Sequence, residues 1–240
     1  MKKIIPSSLF IILIIILTGV KNERALSKEK TSSKNGSIFE LYQDIQGNEF
    51  SFESFEDAYS GYTILDKERL LENDTILTII DYSRPSNEER LFIIDMKNCR
   101  VQAKSLVAHG QATGEILPER FSNNPHSHQS CLGFFITDEV YLGKNGYSLK
   151  LKGIEKNIND NAEKRSIVFH GADYVSYNYL NEYGRLGRSF GCPALPPDKN
   201  RTIIDLIKNK SCVFIYYPAN DYLTKSTLII NGGFLRTTSE

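Results

Sequence analysis

The stretch that decides both fold and chemistry is Ser166–Ala194, which reads S-I-V-F-H-G-A-D-Y-V-S-Y-N-Y-L-N-E-Y-G-R-L-G-R-S-F-G-C-P-A. It begins with a short apolar strand that ends at His170 and closes with a glycine-flanked loop that carries Cys192. The 22 positions that separate 170 from 192 leave room for one returning helix, predicted over Tyr174–Tyr183. A thiol nucleophile needs a base to take its proton and a backbone that bends around the reacting carbonyl. The stretch therefore predicts a cysteine acyl-transferase.

Cys192 and His170 are the predicted catalytic pair. A free thiol is mostly protonated near neutral pH. A neighbouring imidazole can accept that proton during attack, or it can sit charged beside the thiolate and lower the thiol pKa. A purely structural, hydrogen-bonded histidine is the alternative for His170.

The loop around the nucleophile predicts its supporting groups. Gly191 allows a tight turn before Cys192, and the N–H groups of these two residues are predicted to form an oxyanion hole. One such donor typically stabilises the transition state by about 3 kcal/mol. Ser189 is expected to hold the loop by hydrogen bonding or to touch the substrate. Arg185 and Arg188 suit a carboxylate-bearing substrate, and two merely solvated arginines are the alternative.

Other polar positions lie at the ends of predicted strands. Gly171 directly follows His170 and is expected to support the loop or the substrate there. His109 either lines the cleft or makes a structural hydrogen bond. No metal is predicted, although one polar loop has a loose metal-ligand pattern that lacks an evident fourth ligand: His126, His128 and Cys131.

Composition limits the classes of function. The 240 residues are enough for one domain of good size. Hydrophobic residues make up 40% and charged residues 24%, as in a globular protein. Lys plus Arg and Asp plus Glu number 29 each, so no net field draws the chain to nucleic acid, and no such partner is expected.

The N-terminus predicts export. Met1–Lys3 is short and basic, and the apolar run Leu9–Leu17 has the length of a signal-peptide core. A clear cleavage site is missing, so residues 1–27 are interpreted as a signal peptide or an uncleaved membrane anchor, with membrane contact only in the second case. Residues 28–37 are predicted to be a polar linker. We expect a protein of the periplasm or cell envelope.

Residues 38–220 predict one mainly β domain with a few short helices. Aromatic spacing after Ser51 predicts an amphipathic helix near its start. The pair Asn145–Gly146 between the runs 133–137 and 147–151, of which the second alternates, predicts a hairpin. Residues 221–240 are predicted to be a tail with an edge strand at Ser226–Ile230. The runs expected to form strands are 75–80, 90–95, 100–108, 133–137, 147–151, 167–169 and 211–217, with a helix at 198–208.

In an exported protein, each remaining cysteine can be free or disulfide-bonded. An oxidising compartment favours pairing, and a Cys99–Cys131 disulfide is one option, although connectivity does not follow from sequence. Cys212 lies in an apolar run and is expected to be a small buried thiol. Cys192 is the cysteine placed to react.

Several motifs together resemble a known family. H-G-A at 170–172 with S-F-G-C at 189–192 resembles the signature of the YkuD-type L,D-transpeptidases, which remodel bacterial peptidoglycan. V-A-H-G at 107–110, Q-S-C-L-G-F-F at 129–135 and I-V-F-H-G-A at 167–172 are similar to the murein L,D-transpeptidase catalytic domain branch. The similarity runs in order from about Phe52 to Pro218.

The resemblance implies a β-sandwich-like catalytic fold without a cofactor. It implies that Cys192 attacks the bond after the L-centre of a diaminopimelate residue in a tetrapeptide stem, releasing D-alanine and forming a thioester. An amine on a second stem, or on another acceptor, then resolves the thioester. His170 is the implied base, with its other ring nitrogen held by a backbone carbonyl, and peptidoglycan stem peptides are the implied partners.

One position departs from the family pattern. Most members carry an arginine two residues after the nucleophile, where this chain has Ala194, and Arg188 or Arg185 is expected to replace it. Two other functions stay open: an L,D-carboxypeptidase, in which water replaces the acceptor amine, and a catalytically silent wall-binding module. The intact pair of His170 and Cys192 argues against the silent module, because binding requires no thiol.

Overall fold

The computed structural model describes residues 38–230. The predicted signal peptide or anchor at 1–27 and the linker at 28–37 lie outside the described residues, as do residues 231–240 of the predicted tail. Residues 38–44 are helical, and the unit that carries the site begins at Asp44. Within the described range, no helix has the length and apolar character needed to cross a membrane.

One eight-stranded sheet forms the body of this unit, with the spatial order β3-β2-β1-β8-β4-β5-β6-β7. The pairs β1–β8 and β6–β7 are parallel and the other neighbours are antiparallel. Every residue of β1, β2 and β8 is buried, as expected for strands covered on both faces. In chain order the strands are β1 Ile76–Asp81, β2 Leu91–Asp95, β3 Arg100–Ser105, β4 Gly133–Gly143, β5 Gly146–Gly153, β6 Val168–Gly171, β7 Ala194–Leu195 and β8 Cys212–Tyr216.

The two ends of the strand order approach each other. Ala108, just beyond β3, forms a bridge with Ala194 of β7, and its N–H donates to the Ala194 carbonyl at 2.9 Å. This bridge makes the sheet barrel-like and covers the edge of β7. The predicted mainly β fold is confirmed.

From Asp44 to Ile230, five helices accompany the sheet: α1 Phe52–Lys67, α2 Tyr177–Tyr183, α3 Pro197–Ile207, α4 Asn220–Leu223 and α5 Thr227–Ile230. The predicted amphipathic helix is α1, which Ser51 caps by accepting the Ser54 N–H at 3.1 Å. Gly61 of α1 lies directly on the sheet, because a Cβ there would come within 2.2 Å of the Phe134 ring. The absence of a side chain at this position lets α1 pack closely on β4.

Strands β4 and β5 form the predicted hairpin, with Lys144 and Asn145 between Gly143 and Gly146. Gly146 adopts a φ of 76°, which explains the glycine at this position. Further along the pair, the register shifts between Thr137 and Val140, so that Asp138 and Glu139 together face Lys150. Such a bulge re-aims side chains locally.

The predicted edge strand at Ser226–Ile230 is wrong, because Thr227–Ile230 forms the helix α5. Both sides of β8 are already occupied by β1 and β4, so this strand offers no free edge. Polar contacts instead fix the segment against α1 and the core: Ser226 Oγ donates to the buried carboxylate of Glu155 at 2.5 Å, and Ser60 Oγ donates to the Leu228 carbonyl at 2.9 Å.

Candidate active site

Strands β6 and β7 bring His170 and Cys192 to one cleft. The two strands run parallel, with His170 paired to Ala194, and Cys192 lies two residues before Ala194 in the loop that enters β7. Both side chains line a cleft of about 660 Å³. The other lining residues are Tyr141, Lys144, Asn145, Arg165, Ser166, Val168, Gly171, Ala172, Asp173, Tyr174, Arg188, Ser189 and Phe190.

Ser189 holds the loop of the thiol. Its Oγ accepts the Gly191 N–H at 3.0 Å and donates to the Cys192 carbonyl at 2.6 Å. Gly191 has a φ of 122°, and a Cβ at this position would lie 2.7 Å from the Gln129 carbonyl oxygen. Only glycine fits such a conformation and so close an approach. Ser189 therefore holds the loop by hydrogen bonding, which is the first of its two predicted roles.

The predicted pair of oxyanion donors needs a correction. The Gly191 N–H is already engaged by Ser189 Oγ, because the turn that presents the thiol directs this group back into its own loop. The Cys192 N–H has no acceptor within residues 38–230. The backbone donor open to a substrate oxygen is therefore that of Cys192, and Pro193 after it has no N–H.

Residues of two sequence motifs contact the loop that carries Cys192 and hold it in place. Ser130, in Q-S-C, accepts the Gly110 N–H at 3.0 Å and donates to the Gly191 carbonyl at 3.3 Å. Gly110, in V-A-H-G, bridges Ser189. A Cβ on Gly110 would lie 2.5 Å from the His128 carbonyl oxygen and 3.0 Å from Gly191 Cα. The backbone of Gly110 thus sets the position of the loop that carries Cys192.

We expect Gly110→Ala to lower activity by about 100-fold, because the added methyl group pushes the nucleophile loop away and a shift of about 1 Å can cost that much. Gly47→Ala is the matched control: its φ of 78° makes alanine strained, but the nearest atom lies 3.6 Å away and belongs to Val101. Both variants should lose stability, and only Gly110→Ala should lose turnover in a steady-state assay. Equal activities of the two variants would contradict this role of Gly110.

His170 presents one nitrogen to the cleft. Its Nδ1 donates to the Gly171 carbonyl at 2.9 Å, so Nε2 carries the free lone pair. Gly171 therefore holds the His170 ring through its backbone carbonyl. Burial lowers the pKa of His170, which the Gly171 hydrogen bond partly offsets, and nearby Lys144 lowers it further. The imidazole is neutral and able to accept a proton.

The thiol of Cys192 is protonated in this setting. Its Sγ lies 3.4 Å from the Ser166 carbonyl oxygen. Burial raises its pKa, and the Val168 N–H, Arg165 and Lys144 only partly oppose this. A neutral thiol on the same cleft as a neutral imidazole favours proton transfer during attack over a preformed thiolate–imidazolium pair.

This protonation state predicts a pH dependence. Alkylation of Cys192 by iodoacetamide requires the thiolate, so its rate should still be rising above pH 9, since burial raises the thiol pKa. Catalysis through a neutral His170 should persist on the acid side to below about pH 6.5, because the His170 pKa is lowered. Alkylation rates and turnover rates, each measured from pH 5 to 10, check the two expectations. An alkylation plateau already reached below pH 7 would show a preformed thiolate instead.

Of the two roles left open for His109, the structure gives the structural hydrogen bond, and His109 does not line the cleft. The side chain is buried, its Nδ1 accepts from Arg90 Nη2 at 2.8 Å and its Nε2 contacts the Gly114 carbonyl at 3.1 Å. Burial and the Arg90 charge lower the pKa of His109 to about 3, which keeps the ring neutral. Its own carbonyl accepts the Ser189 N–H at 3.0 Å. His109 thus supports the loop that carries Cys192.

Arg185 and Arg188 are bound to the protein and do not stand free for a substrate carboxylate. Arg188 Nη1 lies 2.7 Å from Glu115 Oε1 and also donates to the carbonyls of Gln111 and Gly114. Arg185 Nε lies 3.3 Å from Glu115 Oε2. Arg188 still lines the cleft, whereas Arg185 does not. Both therefore support the loop that carries Glu115.

Ala194 has no room for the arginine that the family pattern places there. It is fully buried in a small apolar cluster, so a guanidinium at this position would lack water and a partner. Its neighbours in the cluster are Leu106, Ala108, Val175 and Leu186. The expectation that Arg185 or Arg188 replaces the family's arginine gains no support, because both form ion pairs with Glu115.

Arg165 is a cleft residue that sequence reasoning missed. Its guanidinium donates to the carbonyls of Ser122 and Gln129 and to Ser127 Oγ. Its charge favours the Cys192 thiolate. Tyr174 was also missed; burial and the neighbouring Cys192 raise its pKa to about 12. The one available signal was that Arg165 directly precedes the deciding stretch.

The other cysteines and histidines form no second centre. All four cysteines are free thiols in the structure, so the Cys99–Cys131 disulfide is not formed. His128 stacks on Phe190 with ring centroids 4.5 Å apart and meets Gln111 Nε2 through its Nδ1. Within residues 38–230 there is no group of three or more His, Cys, Asp or Glu arranged to hold a metal.

The chain thus forms a barrel-like β domain in which the loop of Gly191 places Cys192 on the same cleft as His170. The family model for the L,D-transpeptidase catalytic domain matches residues 46–216, and the chain belongs to this family. The family acts on peptidoglycan stem peptides. The family resemblance predicted from the motifs is confirmed.

Several solved structures are similar to the chain, each at low identity. An L,D-transpeptidase from Mycobacterium smegmatis is 12% identical with a TM-score of 0.36, over 60% of this chain and 59% of that one. The helical cell shape determining protein Pgp2 from Campylobacter jejuni is 13% identical with a TM-score of 0.39, over 65% and 53%. Bdellovibrio bacteriovorus Bd1075 is 15% identical with a TM-score of 0.37, over 62% and 49%. The chain thus spans less than two thirds of the length of each of these three proteins. A search of curated proteins found no match.

Proposed function

We propose that the chain is an exported L,D-transpeptidase that transfers an acyl group from a peptidoglycan tetrapeptide stem through a thioester on Cys192, with His170 as base. The observation that carries this proposal is the placement of both side chains on one cleft. The Gly171 carbonyl fixes Nδ1 of His170, which leaves Nε2 as the nitrogen able to take the thiol proton.

The reaction follows from these groups. Sulfur attacks the stem carbonyl while its proton moves to His170 Nε2, and the oxygen that becomes negative meets the Cys192 N–H. Collapse breaks the peptide bond, and the leaving D-alanine nitrogen takes the proton from His170. An acceptor amine then attacks the thioester, the carbon–sulfur bond breaks, and a proton from the nitrogen returns to sulfur through His170.

The charge of the cleft supports an anionic stem as donor. Arg165, Lys144 and Arg188 contribute positive charge to the lining, and Asp173 is the acidic residue there. Field lines from such a cleft attract the carboxylates of a stem peptide. Arg188 shares its charge with Glu115, so Arg165 and Lys144 are the principal cations available.

Export is part of this proposal, since peptidoglycan lies outside the cytoplasm. The basic start and apolar run of residues 1–17 support it. A fusion of residues 1–37 to a reporter enzyme that is active only outside the cytoplasm should give activity. An inactive, fully expressed fusion would contradict export.

Digestion of tetrapeptide muropeptides with the purified protein tests the activity. We expect cross-linked dimers and released D-alanine, both lost in Cys192→Ala and retained in Cys99→Ser, which changes a thiol that does not line the cleft. Tripeptides without dimers would instead support the carboxypeptidase. Unchanged muropeptides would support the silent wall-binding module and contradict the proposal.

A further inference from the structure

Arg165 connects the cleft that holds the thiol with the neighbouring 122–129 segment. Its side chain lines the cleft. Its Nη1 donates to the Ser122 carbonyl at 2.5 Å, and its Nη2 donates to Ser127 Oγ at 3.3 Å and to the Gln129 carbonyl. One planar guanidinium therefore contacts the segment at both ends and between them.

The 122–129 segment relies on side-chain contacts for its position, because it contains no helix or strand. A backbone outside these elements has no repeating ladder of hydrogen bonds to fix it. His126 and His128 also adopt φ values of 61° and 55°, which residues other than glycine seldom do. Three of the contacts that hold this conformation come from Arg165.

The same segment packs against the loop that carries Cys192. A Cβ on Gly191 would lie 2.7 Å from the Gln129 carbonyl oxygen and 3.1 Å from Arg165 Nη2. The carbonyl that Arg165 binds thus lies against the backbone of Gly191. Ser130, the residue after the segment, donates to the Gly191 carbonyl at 3.3 Å. A shift of the segment therefore changes the position of the thiol.

The turn before β6 brings Arg165 to this place. The next residue, Ser166, has a φ of 53°, and its carbonyl oxygen lies 3.4 Å from Cys192 Sγ. Asn123 ties the turn to the segment, because its Oδ1 accepts the Asn161 N–H at 3.1 Å. The turn thus supplies both a contact to the thiol and the cation that holds the segment behind it.

We propose that Arg165 is a positioning residue for the reaction: it fixes the 122–129 segment against Gly191 and so holds the Cys192 thiol in its attacking position. The attacking position rests on the proposed acyl-transfer function, whereas the contact between segment and loop does not. A guanidinium suits this task because its planar fork directs several N–H groups at fixed angles, which an ammonium group does not do.

Arg165→Lys separates position from charge, because lysine keeps a positive charge beside Cys192 but cannot reach three acceptors at once. Single-turnover acylation by a tetrapeptide donor should slow by about 10- to 100-fold, since a displacement of about 1 Å can cost the larger factor. Lys164→Gln is the matched control and should acylate at the wild-type rate, because Lys164 is exposed and does not line the cleft. Acylation by Arg165→Lys at the wild-type rate would overturn the proposal.

Iodoacetamide alkylation of Cys192 measures the effect of charge without a donor. Arg165→Lys should titrate like the wild type. Arg165→Gln should need a higher pH for half-maximal alkylation, because it removes a positive charge that favours the thiolate. Lys144→Gln should shift the titration in the same direction, since Lys144 also favours the thiolate and has no hydrogen bond or ion pair within residues 38–230. An Arg165→Lys titration shifted as far as that of Arg165→Gln would assign the loss to charge and overturn the proposal.

Hydrogen exchange followed by mass spectrometry tests the contact itself. In Arg165→Lys, amides of residues 122–129 and 189–192 should exchange about 10-fold faster or more, while those of β1, β2 and β8 keep their wild-type rates. Unchanged exchange in both segments would overturn the proposal, and so would an equal increase along the whole chain, which indicates a general loss of stability. Failure of the wild-type protein to form any thioester would instead contradict the proposed function, and the exchange result would still decide whether Arg165 holds the two segments together.

Discussion

Replacing His170 by glutamine is expected to slow thioester formation by about 10²–10⁴-fold, the usual contribution of a positioned general base. The glutamine amide can still donate toward the Gly171 carbonyl, but it offers no basic nitrogen to the Cys192 thiol. Single-turnover acylation with a tetrapeptide donor measures the loss. His126→Gln is the control, because His126 does not line the cleft.

The pH dependence of this variant distinguishes a lost base from a lost fold. Above the raised pKa of Cys192 the thiolate forms without help, so the rate of His170→Gln should climb toward that of the wild type as the pH rises past 9. A misfolded variant would show no such recovery. A His170→Gln protein that acylates at the wild-type rate near pH 7 would remove His170 from the mechanism.

Replacing Arg90 by methionine is expected to lower the free energy of unfolding by about 3–5 kcal/mol, the range seen when a buried charge network loses one partner. Arg90 is fully buried; it donates twice to the Val107 carbonyl, at 3.1 and 2.9 Å, and once to the Arg84 carbonyl at 3.0 Å. It also donates to His109 Nδ1 and stacks on the Tyr82 ring, 4.7 Å from its centroid. Methionine fills part of the space and leaves those acceptors without donors.

Urea unfolding of Arg90→Met measures this loss. Arg100→Met is the matched control, because Arg100 is exposed and its closest approach to an acidic oxygen is 3.9 Å, at Asp95. Its change should stay below about 1 kcal/mol. Similar losses in the two variants would contradict the importance of the buried network.

Strands β1–β6 and β8, and the turn that carries Cys192, were predictable because their signals are local. Apolar runs and the Asn145–Gly146 pair follow from chain geometry within a few residues. Gly191 was predictable for the same reason, since a turn with a φ of 122° calls for glycine. The apolar run 167–169 likewise predicted the strand that carries His170.

The partners of the site residues were not predictable, because distant segments supply them. Glu115, which binds Arg185 and Arg188, lies about 70 positions earlier in the chain. Arg90 decides that His109 is structural, and nothing near His109 in the sequence indicates this contact. Whether the Gly191 N–H is engaged inside its own loop depends on the turn conformation and on the position of Ser189 Oγ, which composition and spacing do not encode.

The edge strand at Ser226–Ile230 failed for a related reason. An apolar run of this length suits a strand or a helix, and periodicity does not separate the two. The segment is helical because the buried Glu155 binds Ser226 and because Ser60, in α1, binds the Leu228 carbonyl.

The central claim is that Cys192 carries the acyl group, and trapping the acylated protein tests it most directly. The purified protein is mixed with a tetrapeptide donor, quenched in acid, and analysed by intact and peptide-resolved mass spectrometry. We predict an added mass equal to the donor without its terminal D-alanine, located on the peptide that contains Cys192 and absent from Cys192→Ala. The same adduct on Cys192→Ala, or on another residue of the wild-type protein, would contradict the account.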